Sequence, residues 1–183
     1  MLDPFPIRAP PALVKFVQPI ATRYSLYTLP HHVHEILFAC LLYTFVGSFL
    51  SPRLSTRLFP RTYPQLNERT RLNWDVHVVS LVQSVLITGF SLWILWFGAD
   101  EQASGMDWVE RIWGYTGTLG MVQALAAGYF LWDLVVSLWR VDVFGWGFVL
   151  HAFTALFVFG FGFVSFPFDG LTLGDLSFHQ AAL

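Results

Sequence analysis

Residues 118–139 read TLGMVQALAAGYFLWDLVVSLW, an apolar run with one carboxylate, Asp133, past its middle. A bilayer-spanning helix needs about 20 predominantly apolar residues, and this run has that length with no proline to break it. Three further runs qualify, at 34–50, 76–98 and 143–166, and the last carries His151. An ionisable side chain at such depth is costly and usually faces the interior of a helix bundle. The expected fold class is all-α: a multi-pass transmembrane helical bundle with four spans and a polar spot in its core.

Composition agrees. Of the 183 residues, 55% are apolar and only 12% are charged, against about 25% charged in soluble domains. Phe (19) and Trp (8) are abundant, as suits lipid-facing and interfacial surface. Four helices with short loops use up the length, so no separate soluble domain fits. The formal net charge of −2 offers no basic field for nucleic acid. Cys40 is the single cysteine and lies inside the first run; it cannot make an internal disulfide, and a buried thiol is the expected reading. No secretory signal peptide is visible: the apolar piece at 12–17 is short and no cleavage pattern follows it.

Three regions are expected. Residues 1–30 form a proline-rich lead, either partly disordered or lying on the membrane surface as a short amphipathic turn. Residues 31–166 hold the spans, and 167–183 form a short loose tail. The first span starts after Pro30 and is expected to stop at Ser51-Pro52. The loop at 53–74 carries Arg53, Arg57, Arg61, Arg69 and Arg71, with Pro60 and Pro64 making its middle irregular. Asp100, Glu101 and Asp107 make the next loop acidic. Arg140-Val141-Asp142 is a turn so tight that the third and fourth spans must be antiparallel neighbours. Arginine in short cytoplasmic loops sets orientation, so the arginine loop is expected in the cytoplasm with both termini on the far side.

Residues three and four apart share a helix face. In the second span His77, Ser80, Ser84, Thr88 and Ser91 form a stripe with Gln83 beside it; in the third, Tyr129, Asp133 and Ser137; in the fourth, Gly147, His151, Thr154 and Ala155. Serine, threonine and glutamine in spans commonly bond across helices or to their own backbone, and small residues allow close packing. Asp133 needs more explanation, because a lone carboxylate in hydrocarbon must pair or take up a proton. Counting about 1.5 Å per residue from the Arg140 turn puts His151 within about 3 Å of its depth. An Asp133–His151 bond, a lipid-headgroup contact and proton transfer are all open to such a pair. The cluster His31, His32, His34 and Glu35 is expected as a wet cap at the interface; it is not the His-Glu-x-x-His zinc motif, and no metal is assigned. No phosphate loop, dinucleotide fingerprint, cysteine pair or Gly-x-Ser-x-Gly elbow occurs, so hydride transfer, nucleotide hydrolysis and serine-type acyl transfer lack their usual local signs.

Three stretches carry a resemblance. Asn73-Trp74-Asp75-Val76-His77-Val78-Val79-Ser80-Leu81-Val82-Gln83-Ser84, Gly128-Tyr129-Phe130-Leu131-Trp132-Asp133-Leu134 and His151-Ala152-Phe153-Thr154 resemble, in order and spacing, the TLC domain family. That family takes in ceramide synthases, the translocating-chain-associating membrane proteins and the protein of one neuronal ceroid lipofuscinosis. The likeness is closest to its small non-synthase members. Gln83 stands where the family often has a histidine, and Ala152 replaces the second member of its paired histidines. The resemblance implies a partial six- or seven-span domain, lacking later spans and so a truncated form or fragment. It implies an endoplasmic-reticulum membrane protein of lipid homeostasis, lipid binding or sensing, without a cofactor and with membrane lipids as partners. Polar stripes left uncovered by four helices imply self-association as a homo-oligomer or cover by further C-terminal helices. Catalysis of the ceramide-synthase kind would leave only His151 as a base, with Asp133 orienting it. A membrane adaptor or cargo receptor working through the arginine loop is the other alternative.

Overall fold

The computed structural model describes residues 4–97 and 115–164, and among them every regular element is helical. The acidic segment with Asp100, Glu101, Asp107 and Arg111, and the tail beyond Pro167, lie outside the described residues. The elements are α1 (Pro11–Arg23), α2 (Leu29–Phe45), a π-helical stretch (Val46–Leu50), α3 (Ser51–Leu58), a 3-10 turn (Tyr63–Gln65), α4 (Glu68–Phe97), α5 (Gly117–Trp139), α6 (Val141–Phe144), α7 (Trp146–Gly160) and a closing 3-10 turn (Phe161–Phe163). Four rods are long and apolar enough to cross a membrane: Leu29–Leu58, Glu68–Trp96, Gly117–Trp139 and Trp146–Phe163. The chain is a multi-pass, all-α membrane protein.

The first rod is much longer than the run at 34–50. Pro52 does not end it. Proline has no N–H to give the preceding turn, but it is tolerated at a helix start. Here it stands in the first turn of α3, and the helix before it widens to a π register, with the Ser51 N–H donating to the Val46 carbonyl. That extra residue in the turn absorbs the missing donor, and the rod runs on to Leu58. Its last two turns carry Arg53 and Arg57, which lie beyond the hydrocarbon if the rod is seated on its apolar part.

Local signals fix the other ends. The Asn67 carboxamide accepts from the Thr70 N–H at 2.8 Å and caps the start of α4. Thr116 caps α5 by accepting from the Leu119 N–H at 3.2 Å. Between α5 and α7, Gly145 takes φ +79, a left-handed conformation that glycine adopts at little cost, and this turns α6 into α7. The proline-rich lead holds α1, about three and a half turns, set against α2 by Val17 and Ala21, with Phe16 and Ile20 on its outer side.

The core lies along α5. Gly120, Ala124, Ala127 and Gly128 put small residues on the face that meets α2. At Gly128 an added Cβ would stand 2.5 Å from the Ala39 Cβ and 2.6 Å from the Ile36 carbonyl oxygen, so the two backbones are in near contact. Close approach through small residues is how spanning helices gain packing energy without a hydrophobic drive between them. Ala39, Tyr43, Val46, Val79 and Trp132 form the central cluster, joining α2, α4 and α5. Ile36, Ala124, Ala127 and Phe163 form a second, toward the start of α2. There Thr28 donates its hydroxyl to the Phe163 carbonyl at 3.0 Å, tying the end of α7 to the start of α2. The α5–α7 pairing expected from the 140–142 turn is present. The rods run up and down, so every arginine from Arg53 to Arg71, together with Arg140, comes to one end. Arg140 bridges that end, meeting Glu68 of α4 at 3.1 Å and Asp142 at 3.3 Å.

Candidate functional site

Polar side chains of α2, α4 and α5 meet inside the bundle at middle depth. Ser80 on α4 donates to its own helix at the Val76 carbonyl, 3.0 Å away. With that proton committed, the 2.9 Å contact between Ser80 Oγ and the Tyr129 hydroxyl has Tyr129 as donor. Tyr43 on α2 reaches Gln83 Oε1 at 3.5 Å, and its ring meets Tyr129 edge-on with centroids 5.5 Å apart. Trp132 closes the group from α5. Asp133 and Ser137 continue the Tyr129 stripe, both buried. Asp133 makes no hydrogen bond or ion pair with any described residue. It is largely buried and interacts electrostatically with His151 and Tyr129 among the described residues.

Other residues of the predicted stripes turn outward. His77 and Ser84 are exposed on α4 and bond to their own helix, His77 Nδ1 to the Asn73 carbonyl at 2.8 Å and Ser84 to the Ser80 carbonyl at 2.9 Å. On α7 the buried side chains are Val149 and Ala152. His151 precedes Ala152 by one residue, about 100° round the helix, and is exposed; Thr154 is exposed too and donates to the Leu150 carbonyl at 2.8 Å. Asp133 and His151 thus sit on neighbouring helices without a hydrogen bond between them. Helical spacing told which residues share a face, but not which face turns inward. On α7 the small Ala152 wins the contact, because it lets the helices approach.

Two polar centres escaped the sequence reading. The first corrects the wet-cap expectation: His32 and Glu35 are fully buried, while His31 is exposed. His32 Nδ1 lies 3.0 Å from both Glu35 oxygens, so Nδ1–H donates to the carboxylate and Nε2 meets the Tyr115 hydroxyl. The chain Tyr115–His32–Glu35 fixes the imidazole tautomer and can pass a proton between a phenol and a carboxylate. Gly120 makes room for it: a Cβ there would come within 2.8 Å of both the His32 Cε1 and the Tyr115 Cε2. Gly120 four residues into α5 was the available signal. His34 donates Nε2–H to the Ile7 carbonyl at 2.7 Å, and the same nitrogen lies 3.8 Å from Glu35 Oε1. No group of three or more His, Cys, Asp or Glu among the described residues is placed to hold a metal.

The second is Asp75, just before the run at 76–98. It is buried at the arginine end and accepts from Ser51 at 2.6 Å and from Tyr63 at 2.8 and 3.0 Å. Trp74 donates to Ser55 at 3.0 Å beside it. Burial, then the Asp75 hydrogen bond, pushes the Tyr63 phenol above its ordinary range. These bonds fasten the α2–α3 rod and the 63–65 turn to the start of α4.

The family model of the TLC domain matches residues 73–174, more than half of the chain. The chain belongs to the TLC domain family. The match begins at the Asn73 stretch quoted above and takes in α5, α6 and α7. An uncharacterized TLC domain-containing protein of Schizosaccharomyces pombe is 40% identical over 151 residues, covering 82% of this chain and 49% of that protein. Topoisomerase I damage affected protein 4 of Saccharomyces cerevisiae is 29% identical over 129 residues, 69% of this chain and 43% of that one. TLC domain-containing protein 4 C of Dictyostelium discoideum is 22% identical over 128 residues, 69% and 44% respectively. The TLC chain described here thus spans just under half the length of these curated relatives. No solved structure matches it.

Proposed function

We propose that this TLC domain chain belongs to a lipid-handling protein of the endoplasmic-reticulum membrane, binding a membrane lipid in its polar core without catalysis. The observation that carries the reading is Asp133, a largely buried carboxylate with no hydrogen bond among the described residues and only an electrostatic interaction with His151 and Tyr129, one turn from the Tyr129–Ser80 hydrogen bond. Such a group in hydrocarbon calls for a proton or for donors from elsewhere, and a lipid headgroup rich in hydroxyl or amine supplies them. Self-association, or further helices of a longer protein, would close the remaining polar faces. The acyl-transfer alternative needs a base within reach of a proton; His151 on the outer face of α7, beside Ala152 and unbonded to Asp133, gives it less support. The arginine end is assigned to the cytoplasm, since Arg53, Arg57, Arg61, Arg69, Arg71 and Arg140 gather there.

The test is the set of lipids that co-purifies with the chain, read by mass spectrometry. Asp133→Ala is expected to deplete one lipid class, and His151→Ala to leave it bound. An unchanged lipid set for Asp133→Ala would remove the core as a lipid site.

A further inference from the structure

The outer face of α4 at the arginine end carries two adjoining clefts that the polar core does not use. One, about 330 Å³, lies between α4 and the α6–α7 corner, lined by Arg69, Thr70, Asn73, Val143, Phe144 and Phe148. The other is an open strip lined by α4 alone, continuing from Thr70 and Asn73 past Trp74 and His77 to Val78 and Leu81. Shared walls at Thr70 and Asn73 make them one track, polar at its head and apolar along its length. From Arg69 to Leu81 it runs 12 residues, about 18 Å, slightly more than one leaflet of a hydrocarbon core about 30 Å thick.

The arginine end as a whole is basic, with Arg53, Arg57, Arg61, Arg69, Arg71 and Arg140 set against Glu68, Asp75 and Asp142. Those acids are committed elsewhere: Glu68 and Asp142 both engage Arg140, and Asp75 takes Ser51 and Tyr63. Arg69 donates only to the Val143 carbonyl, at 3.2 Å, which fixes the guanidinium at the cleft mouth and leaves its positive charge without a carboxylate among the described residues. His77 lines the track and gives its Nδ1–H to the Asn73 carbonyl. A fixed guanidinium with a hydroxyl and a carboxamide beside it suits a phosphate, and the aromatic and aliphatic walls below it suit a hydrocarbon chain.

We propose that this track binds an anionic phospholipid, with its phosphate at Arg69 and one acyl chain along Val78 and Leu81. The site is separate from the polar core, so Asp133→Ala leaves it intact and the two readings fail independently.

The test is native mass spectrometry of the purified chain in detergent, offered phosphatidylserine, phosphatidylcholine or inorganic phosphate. Phosphatidylserine is expected to be held more tightly than phosphatidylcholine, and inorganic phosphate not to be retained. Arg69→Ala should weaken phosphatidylserine about fivefold, the effect of one basic residue near an anionic headgroup. Arg69→Lys keeps the charge, loses the fork geometry and should fall between; it also serves if the alanine variant folds poorly. Arg57→Ala, at the same end but outside the track, should change little. The proposal is overturned by equal retention of the two lipids, by equal losses in Arg57→Ala and Arg69→Ala, or by inorganic phosphate held as tightly as phosphatidylserine.

Discussion

Replacing Gly128 by alanine adds one methyl group where α2 and α5 touch. The new Cβ would stand 2.5 Å from the Ala39 Cβ and 2.6 Å from the Ile36 carbonyl oxygen, and 3.3 Å from the Cys40 nitrogen. Carbon atoms in contact sit about 3.5–4.0 Å apart, so the helices must separate by about 1 Å, and a gap of that size forfeits up to about half of each neighbouring contact. Two of the three obstructing atoms belong to backbone, so no side chain can swing aside. Overpacking of this kind costs about 1–3 kcal/mol, and each kcal/mol lowers the midpoint of a chain this size by about 2–4 °C. Cys40, half-buried in the same interface, is the only thiol and reports the event directly. Heating the protein in detergent with a thiol-reactive fluorophore gives the midpoint at which α2 leaves α5. Gly89→Ala is the control: nothing lies within 4 Å of its added Cβ, and alanine in a helix interior gains about 0.5–1 kcal/mol over glycine. An unchanged midpoint for Gly128→Ala, or equal shifts for the two variants, would refute the close-packed α2–α5 seam.

Three more outcomes follow from the polar centres. Glu35→Ala removes the acceptor of the buried His32 Nδ1–H and should cost about 1–3 kcal/mol; no loss in thermal or denaturant unfolding would mean that the pair is not sealed from solvent. Ser80→Ala and Tyr129→Phe should each cost about 0.5–1.5 kcal/mol, and the double variant less than their sum; strict additivity would deny their hydrogen bond. Because the Tyr63 phenol is raised above its ordinary 10.0, the folded form keeps a proton that the unfolded form releases at high pH. Its contribution is complete below that pH and declines as pH rises above it. Tyr63→Phe should flatten the alkaline fall in the unfolding midpoint, and an identical slope in the variant would rule the effect out.

The spans were legible because length and apolarity alone determine what can cross a bilayer, and the 140–142 turn left α5 and α7 no choice but to be neighbours. The Tyr129, Asp133 and Ser137 stripe was read from helical spacing; Asp133 and Ser137 are buried and Tyr129 partly so. The inward face of α4 was read one step off: Ser80 and Gln83 turn in while His77 turns out, because the Val79–Trp132 contact sets the rotation of the rod. That contact is between elements far apart in sequence, and periodicity within one helix carries no trace of it. Pro52 looked like a terminus because its chemistry usually makes one; the π stretch that accommodates it is held only on its Val46 and Gly47 side, against Val79 and Trp132. His32 and Glu35 looked like surface residues because clustered polar groups at a span boundary usually are. Their burial follows from the glycine at position 120 on another helix, which opens the space they fill.

The central claim is that lipid enters the interior of the bundle beside Asp133. Reconstituting the chain with a photoactivatable diazirine phospholipid, irradiating, and mapping the adducts by peptide mass spectrometry tests it most directly. Adducts at Tyr129 and Asp133, on the inward side of α5, are the predicted result. Adducts confined to outward positions such as Leu95, Val135 and Phe157 would contradict it.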